Sequence, residues 1–175
     1  QDIAEFFLSF QSMYDGFVAR AGAVERLLHD RRTTFAVVTT LEGAPLREAE
    51  FFARELTKRR FPFGAMVLNR VLPDFLTSSD GQASATAIAD HADRLAKGLG
   101  SAEEPGLTDA DAVARVLRTI AATFRDYSVV ATREHELHAE LGGAPDVVAS
   151  VPAFPDDVHD VGGLARIGRA LLASP

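Results

Sequence analysis

Residues Thr33 to Leu72, TTFAVVTTLEGAPLREAEFFARELTKRRFPFGAMVLNRVL, constrain the fold more than any other stretch of the chain. Two apolar runs rich in β-branched residues, Phe35–Thr40 and Phe63–Asn69, flank one segment of helical period, which is the pattern of a β-α-β unit. Each run is apolar almost throughout instead of alternating, as strands covered on both faces are. The two strands are therefore expected to be parallel and near neighbours, joined by a right-handed crossover. Pro45 suits the first helical turn, and Glu42 and Glu48 lie at the positive end of the helix. Leu46, Ala49, Phe52 or Ala53, and Leu56 recur at three- and four-residue steps and mark the face toward the sheet. Arg54, Glu55, Lys58 and Arg59 are assigned to water.

The rest of the chain is read around this unit. In residues 1–30, Ile3, Phe7, Phe10, Tyr14, Phe17, Ala21, Val24 and Leu28 fall on one helical face, widened by Phe6, Met13 and Val18. One long helix or two shorter ones fit, with Gly16 and Gly22 as kink positions. Such a stripe either packs on a sheet or another helix, or forms a groove for an apolar client or partner. The pattern is already running at Gln1, so the expectation is a fragment or processed chain that begins partway through a larger fold. Pro73–Gly81 is turn-rich, and Ala83–Leu99 is Ala-rich and helical, with Ile88, Ala92 and Leu95 aligned. Gly98, Gly100, Ser101, Pro105 and Gly106 read as a linker. Thr108–Asp111 resembles a capping box opening a helix whose apolar face runs through Val113, Val116 or Leu117, Ile120, Phe124 and Tyr127, with the pattern extending as far as Leu141. Ala144–Val151 reads as a third short buried strand, followed by a Pro-bounded loop and a terminal helix from about Gly163. The fold expected is α/β, a three-layer parallel sheet with strands near 34–40, 63–69 and 146–151 and helices on both faces. Residues 1–175 are expected to form a single partial domain, divided into an amphipathic helical segment (1–30), the β-α-β unit (33–72), a helical insert (83–141) and a strand, loop and terminal helix (144–175).

Composition narrows the function. The formal charge of -7 and pI near 5.2 argue against nucleic-acid binding, which needs a clustered basic surface that the linear sequence does not display. Cysteine is absent, which removes disulfides, a thiol nucleophile and thiolate metal sites. No apolar run approaches ~18 residues and no basic-then-apolar leader occurs, so a cytoplasmic location is expected.

In an open parallel sheet the ligand-facing residues follow the strands' carboxyl ends: here Thr39, Thr40 and Glu42, then Asn69 and Arg70. A strand ending in a Thr-rich turn with a Glu, an Arg-Glu-rich crossover helix and a strand ending V-L-N-R resemble the second half of the anion-pump (arsenite-transporter-type) ATPases. These are deviant P-loop NTPases related to the targeting ATPases for tail-anchored membrane proteins. The order strand, P-x-x-P-x-x-V (Pro152 to Val158), glycine, terminal helix is similar to the same family. The resemblance covers most of the chain and is weakest in the helical insert. It implies that Asn69 recognises adenine and that Pro152, Phe154, Pro155 and Val158 lie against the ring, with Arg70 beside them. Read from the residues alone, Asn69 equally serves as a strand-end turn former. The resemblance further implies ATP and Mg2+ in the full-length protein, none bound to this fragment, and a missing N-terminal half carrying the P-loop. It also implies a homo- or hetero-dimer, and a membrane-protein or apolar client. The missing cysteines depart from the zinc-binding Cys pair of the eukaryotic targeting branch and from thiolate-based arsenite binding.

No G-x-x-x-x-G-K-[ST] segment occurs in the sequence, so the chain alone is not expected to hydrolyse ATP. Glu134, His135, Glu136 and His138 place two histidines at i, i+3, where a helical zinc site of the HExxH kind needs i, i+4, and a solvated helix face accounts for them better. Asp156, Asp157, His159 and Asp160 crowd one loop without a nucleophile and suit the start of a helix. Two function classes follow. The first is the C-terminal portion of an ATP-binding and hydrolysing anion-pump-type ATPase, contributing adenine recognition. The second is a non-catalytic module that binds a protein partner or client through residues 1–30.

Overall fold

The computed structural model describes residues 2–100, 109–141 and 147–173; within them, the side chains of residues 2–12, 15 and 100 are left undescribed. A long helix α1 (Asp2–Leu28) leads into β1 (Phe35–Thr39), α2 (Gly43–Lys58) and β2 (Phe63–Val71). A 3-10 turn (Asp74–Leu76), α3 (Ser79–Asp90), α4 (Ala92–Gly100) and α5 (Ala110–Ala139) precede β3 (Val147–Pro152) and α6 (Val161–Ala173). The three strands form one parallel sheet in the order β1-β2-β3.

The register explains which residues are buried. Val37, Met66 and Val148 lie in one row across the sheet, and Thr39, Leu68 and Ser150 in the next. Side chains in such rows share a face. On this face Met66 and Leu68, 1% and 0% exposed, pack with Leu46 and Ala53 of α2 and with Leu137 near the end of α5. Val37, Ala49 and Leu56 form a second cluster beside them. The α2 face is thus Leu46, Ala49, Ala53 and Leu56, with Ala53 taking the inner position and Phe52 half exposed. On the opposite face α6 lies against β3, where Ala149 and Val151 are buried, while Val38 of β1 is 62% exposed. Helices therefore cover both faces, but the second face is closed only at β3.

Several local expectations need correction. The segment read as one helix from Ala83 is two, α3 and α4, separated at His91, whose φ of -113° leaves the helical region. α3 also begins earlier than expected, with the Ser78 hydroxyl accepting from the Gly81 N–H at 3.1 Å. Gly98 and Gly100 belong to α4, not to a linker; Ala92 and Ala96 pack against Ala114, and that contact offsets the roughly 1 kcal/mol that each helical glycine costs. Ser101, Pro105, Gly106 and Thr108 lie outside the described residues, as do Gly142, Gly143 and Ala144–Asp146. The cap of α5 is Asp109, whose Oδ1 accepts from the Ala112 N–H at 3.0 Å. Its buried stripe is Ala114, Ala121, Ser128 and Ala131, while Val116, Ile120 and Tyr127 are more than half exposed. The small residues lie innermost, and of the larger ones expected on this face Val113, Leu117 and Phe124 are half-buried beside them, with the Phe124 ring 6.1 Å from that of Phe75.

Residues 2–28 form one helix without a break at Gly16 or Gly22. Ile3, Phe6, Phe7 and Phe10 lie outside the described side chains. Further along, Tyr14, Phe17 and Val24 are 57%, 66% and 55% exposed, so this part of the stripe faces solvent instead of a core. Among the described residues it is anchored at the far end: the His29 ring lies 4.2 Å from that of Phe61, with Nε2 3.2 Å from the Arg59 carbonyl oxygen.

The burial contrast within one sheet is directly testable. Leu68→Ala should destabilise the fold by about 2–5 kcal/mol. Val38→Ala, on the open face, should stay within about 1 kcal/mol. Urea denaturation of the two variants compares them.

Candidate functional site

The carboxyl ends of the strands carry the residues the sequence singled out. After β1 the Thr39 hydroxyl, buried, donates to the Thr40 carbonyl at 3.2 Å, and the Thr40 hydroxyl donates to Glu42 Oε1 at 3.3 Å. Glu42 stands at the start of α2 without a side-chain capping bond. In β2, Asn69 is the register partner of Val151, and Val71 is the partner of Pro152. Between them Arg70 is exposed and adopts φ 60°, in the left-handed region that few non-glycine residues occupy. One extra residue on β2 is accommodated there, and pairing then resumes, with the Ala153 N–H donating to the Val71 carbonyl at 2.9 Å. Arg70 gave no sequence signal for this bend, since it is neither Gly nor Asn.

Two concavities border these strand ends. One, of about 490 Å³, lies under the end of α5 and is lined by Leu41, Val71, Asp74, Glu134, His138 and Pro152, among others. The other, of about 710 Å³, lies beside β1 and is lined by Thr39, Thr40, Pro45, Glu48, Phe52 and Asn69, among others. Asn69 and Pro152 thus lie close together on adjacent strands but line different concavities. The side-chain amide of Asn69 has no hydrogen-bond partner among the described residues and is half-buried.

The loop after β3 is held by its helix. Asp160 Oδ1 accepts from the Gly163 N–H at 2.6 Å and so caps α6. A Cβ at Gly163 would come within 2.8 Å of Val158 Cγ1, so glycine permits the close approach of loop and helix there. Phe154, half-buried, carries the Arg166 guanidinium over its ring at 5.3 Å from the centroid, and Pro155 is exposed. Of the charged residues in this loop, Asp160 therefore has a defined structural role, and His159 Nδ1 sits 3.0 Å from the Asp157 carbonyl oxygen.

Glu134 departs from the solvated-face reading of the E-H-E-x-H segment. Its Oε2 accepts from the Leu72 N–H at 2.9 Å and ties α5 to the end of β2 across 62 residues. No sequence pattern announces a contact over that separation. His135 and His138 are exposed, and among the described residues no group of three or more His, Cys, Asp or Glu is placed to hold a metal ion. No helix among them is long and apolar enough to cross a membrane.

Comparison with known proteins adds a functional direction. The chain is similar to proteins named ATPases. It is 29% identical to ATPase BagA of Mycobacterium tuberculosis (strain H37Rv) over 153 residues, which are 87% of this chain and 43% of that protein. Mb3704 of Mycobacterium bovis, provisionally named an ATPase, matches with the same identity and coverage. The chain spans less than half the length of these relatives. No family profile matches it.

Glu134→Ala should leave the part-buried Leu72 N–H without its partner and cost about 1–3 kcal/mol. The exposed neighbour, in His135→Ala, should shift stability by no more than about 0.5 kcal/mol. Thermal melts of the two variants distinguish an anchoring carboxylate from a solvated helix face.

Proposed function

We propose that this chain is the C-terminal portion of an ATP-binding and ATP-hydrolysing protein of the anion-pump type, contributing adenine recognition while an upstream half supplies the P-loop. The observation that carries the reading is the similarity to proteins named ATPases along 87% of the chain. It is supported by the meeting of Asn69 and the start of the Pro152–Val158 loop on adjacent parallel strands. The Asn69 amide, without a partner among the described residues, offers both a donor and an acceptor, the complement of the acceptor and amino donor on adenine's edge. Phe154 and Pro155 offer flat apolar surface. Pro152 lines the other concavity, and the assignment of Pro152, Phe154, Pro155 and Val158 to the ring rests on the family resemblance, with Arg166 over one face of Phe154. ATP and Mg2+ belong to the full-length protein in this proposal, and the phosphates are held by residues outside this chain. A dimer and an apolar client follow from the same family resemblance.

A second reading is favoured by one observation, the exposure of Tyr14, Phe17 and Val24 on α1. It makes the chain a non-catalytic module that engages a protein through this helix.

The two readings separate on nucleotide binding by the full-length protein. Asn69→Ala should weaken ATP by roughly 1–3 kcal/mol and narrow its preference over GTP, with phosphate contacts intact. ATP and GTP titrations measure this, and an unchanged base preference would reject Asn69 as the adenine reader.

A further inference from the structure

The cations of this acidic chain are unevenly placed. Exposed Arg26, Arg31 and Arg32 stand around the end of α1, and exposed Lys58, Arg59 and Arg60 around the end of α2. Some thirty residues separate the two groups in sequence, and the His29 contacts with Phe61 and Arg59 bring them together in space. The stretches 25–33 and 54–60 hold only three carboxylates, Glu25, Asp30 and Glu55. Asp30 accepts from Arg32 at 2.9 and 3.0 Å, and that guanidinium holds its carboxyl below the usual carboxylate range. Glu55 is shared by Lys58 at 3.3 Å and Arg59 at 3.2 Å, with Lys58 the larger cause of its lowered pKa. Arg26, Arg31 and Arg60 have no ion-pair partner among the described residues, which leaves a net positive patch on a protein of formal charge -7.

Apolar surface adjoins this patch. Val24 and Leu27, on either side of Arg26 in the last turns of α1, are 55% and 57% exposed. Both basic stretches precede a strand, so the patch sits at the amino ends of β1 and β2, opposite the end that carries Asn69.

We propose that this end of the molecule docks peripherally on an anionic phospholipid surface, with the cations against the headgroups and Val24 and Leu27 at the headgroup–acyl boundary. Basic clusters are attracted to anionic leaflets, and apolar side chains beside them add burial that a purely ionic partner does not reward. A single-stranded nucleic acid would instead favour aromatic stacking platforms along a cationic track, and a duplex gains its affinity from phosphate contacts, to which adjoining apolar side chains add nothing. Docking in this way points the candidate nucleotide site away from the membrane, and it does not depend on that site's assignment.

The test is co-sedimentation of the 175-residue chain with phosphatidylglycerol vesicles and, separately, phosphatidylcholine vesicles. Retention is expected on phosphatidylglycerol alone and should fall when salt near 1 M shortens the Debye length to about 3 Å. Arg31→Ser combined with Arg60→Asn should weaken retention about 25-fold, at about fivefold per charge removed. Asn tolerates the left-handed backbone that Arg60 adopts at φ 60°. Leu27→Ser should weaken retention while leaving its salt dependence unchanged. Circular dichroism melts check that each variant folds, and Arg26→Gln with Arg31→Ser replaces the first pair if Arg60→Asn does not. Equal retention on phosphatidylcholine, or no loss in the folded double variant, would overturn the proposal. So would tighter binding to a nucleic-acid duplex or to polyglutamate than to phosphatidylglycerol at equal charge concentration.

Discussion

The structure depends on the burial of β2 between two parallel neighbours. Met66 and Leu68 are the largest fully buried side chains described, and they hold α2, the end of α5 and both flanking strands to one face. Parallel pairing requires long crossovers, and here the β1-to-β2 crossover is the single helix α2, whereas the β2-to-β3 crossover contains α3, α4 and α5. The strand ends that carry Thr39, Asn69 and Pro152 are set by that packing. A change that loosens Leu68 would therefore move the candidate site before it touched any of its residues.

The helical part is built differently. Its contacts run through alanines, with Ala92, Ala96 and Ala114 meeting in one cluster and Ala121, Ser128 and Ala131 continuing along α5. Small residues form the most buried row there, with Val113, Leu117 and Phe124 half-buried beside it and Val116, Ile120 and Tyr127 left outside. The hydrogen bond from Leu72 N–H to Glu134 then fixes how this unit meets the sheet.

What the sequence made legible follows the same division. The three strands and α2 were readable because continuous β-branched runs and a clean helical period each admit one interpretation, down to Leu46, Ala49 and Leu56. The inner face of α5 was legible only in its half-buried members, Val113, Leu117 and Phe124, because hydrophobicity ranks Ile120 and Tyr127 above Ala121 and Ser128, while the most buried row is made of small residues. At the candidate site, Asn69 and the Pro152–Val158 loop were visible as strand-end residues. The bend at Arg70 was not, since it arises from one extra residue in the pairing of β2 with β3; nor was the separation of Asn69 from Pro152 into two concavities, which follows from the register, where Asn69 pairs with Val151 and the next residue turns to the other face. The basic patch escaped for a related reason: neither stretch is unusual by itself, and a contact from His29 to Phe61 joins them.

That same contact sits at one end of a long arm, α1. Its 27 residues span roughly 40 Å at 1.5 Å per residue, and its described anchor is at one end. A tilt of about 10° at the His29 joint carries the opposite end through about 7 Å on that length. On that geometry, a small change in angle where His29 meets Phe61 and the Arg59 carbonyl corresponds, one helix length away, to a distance larger than a helical turn.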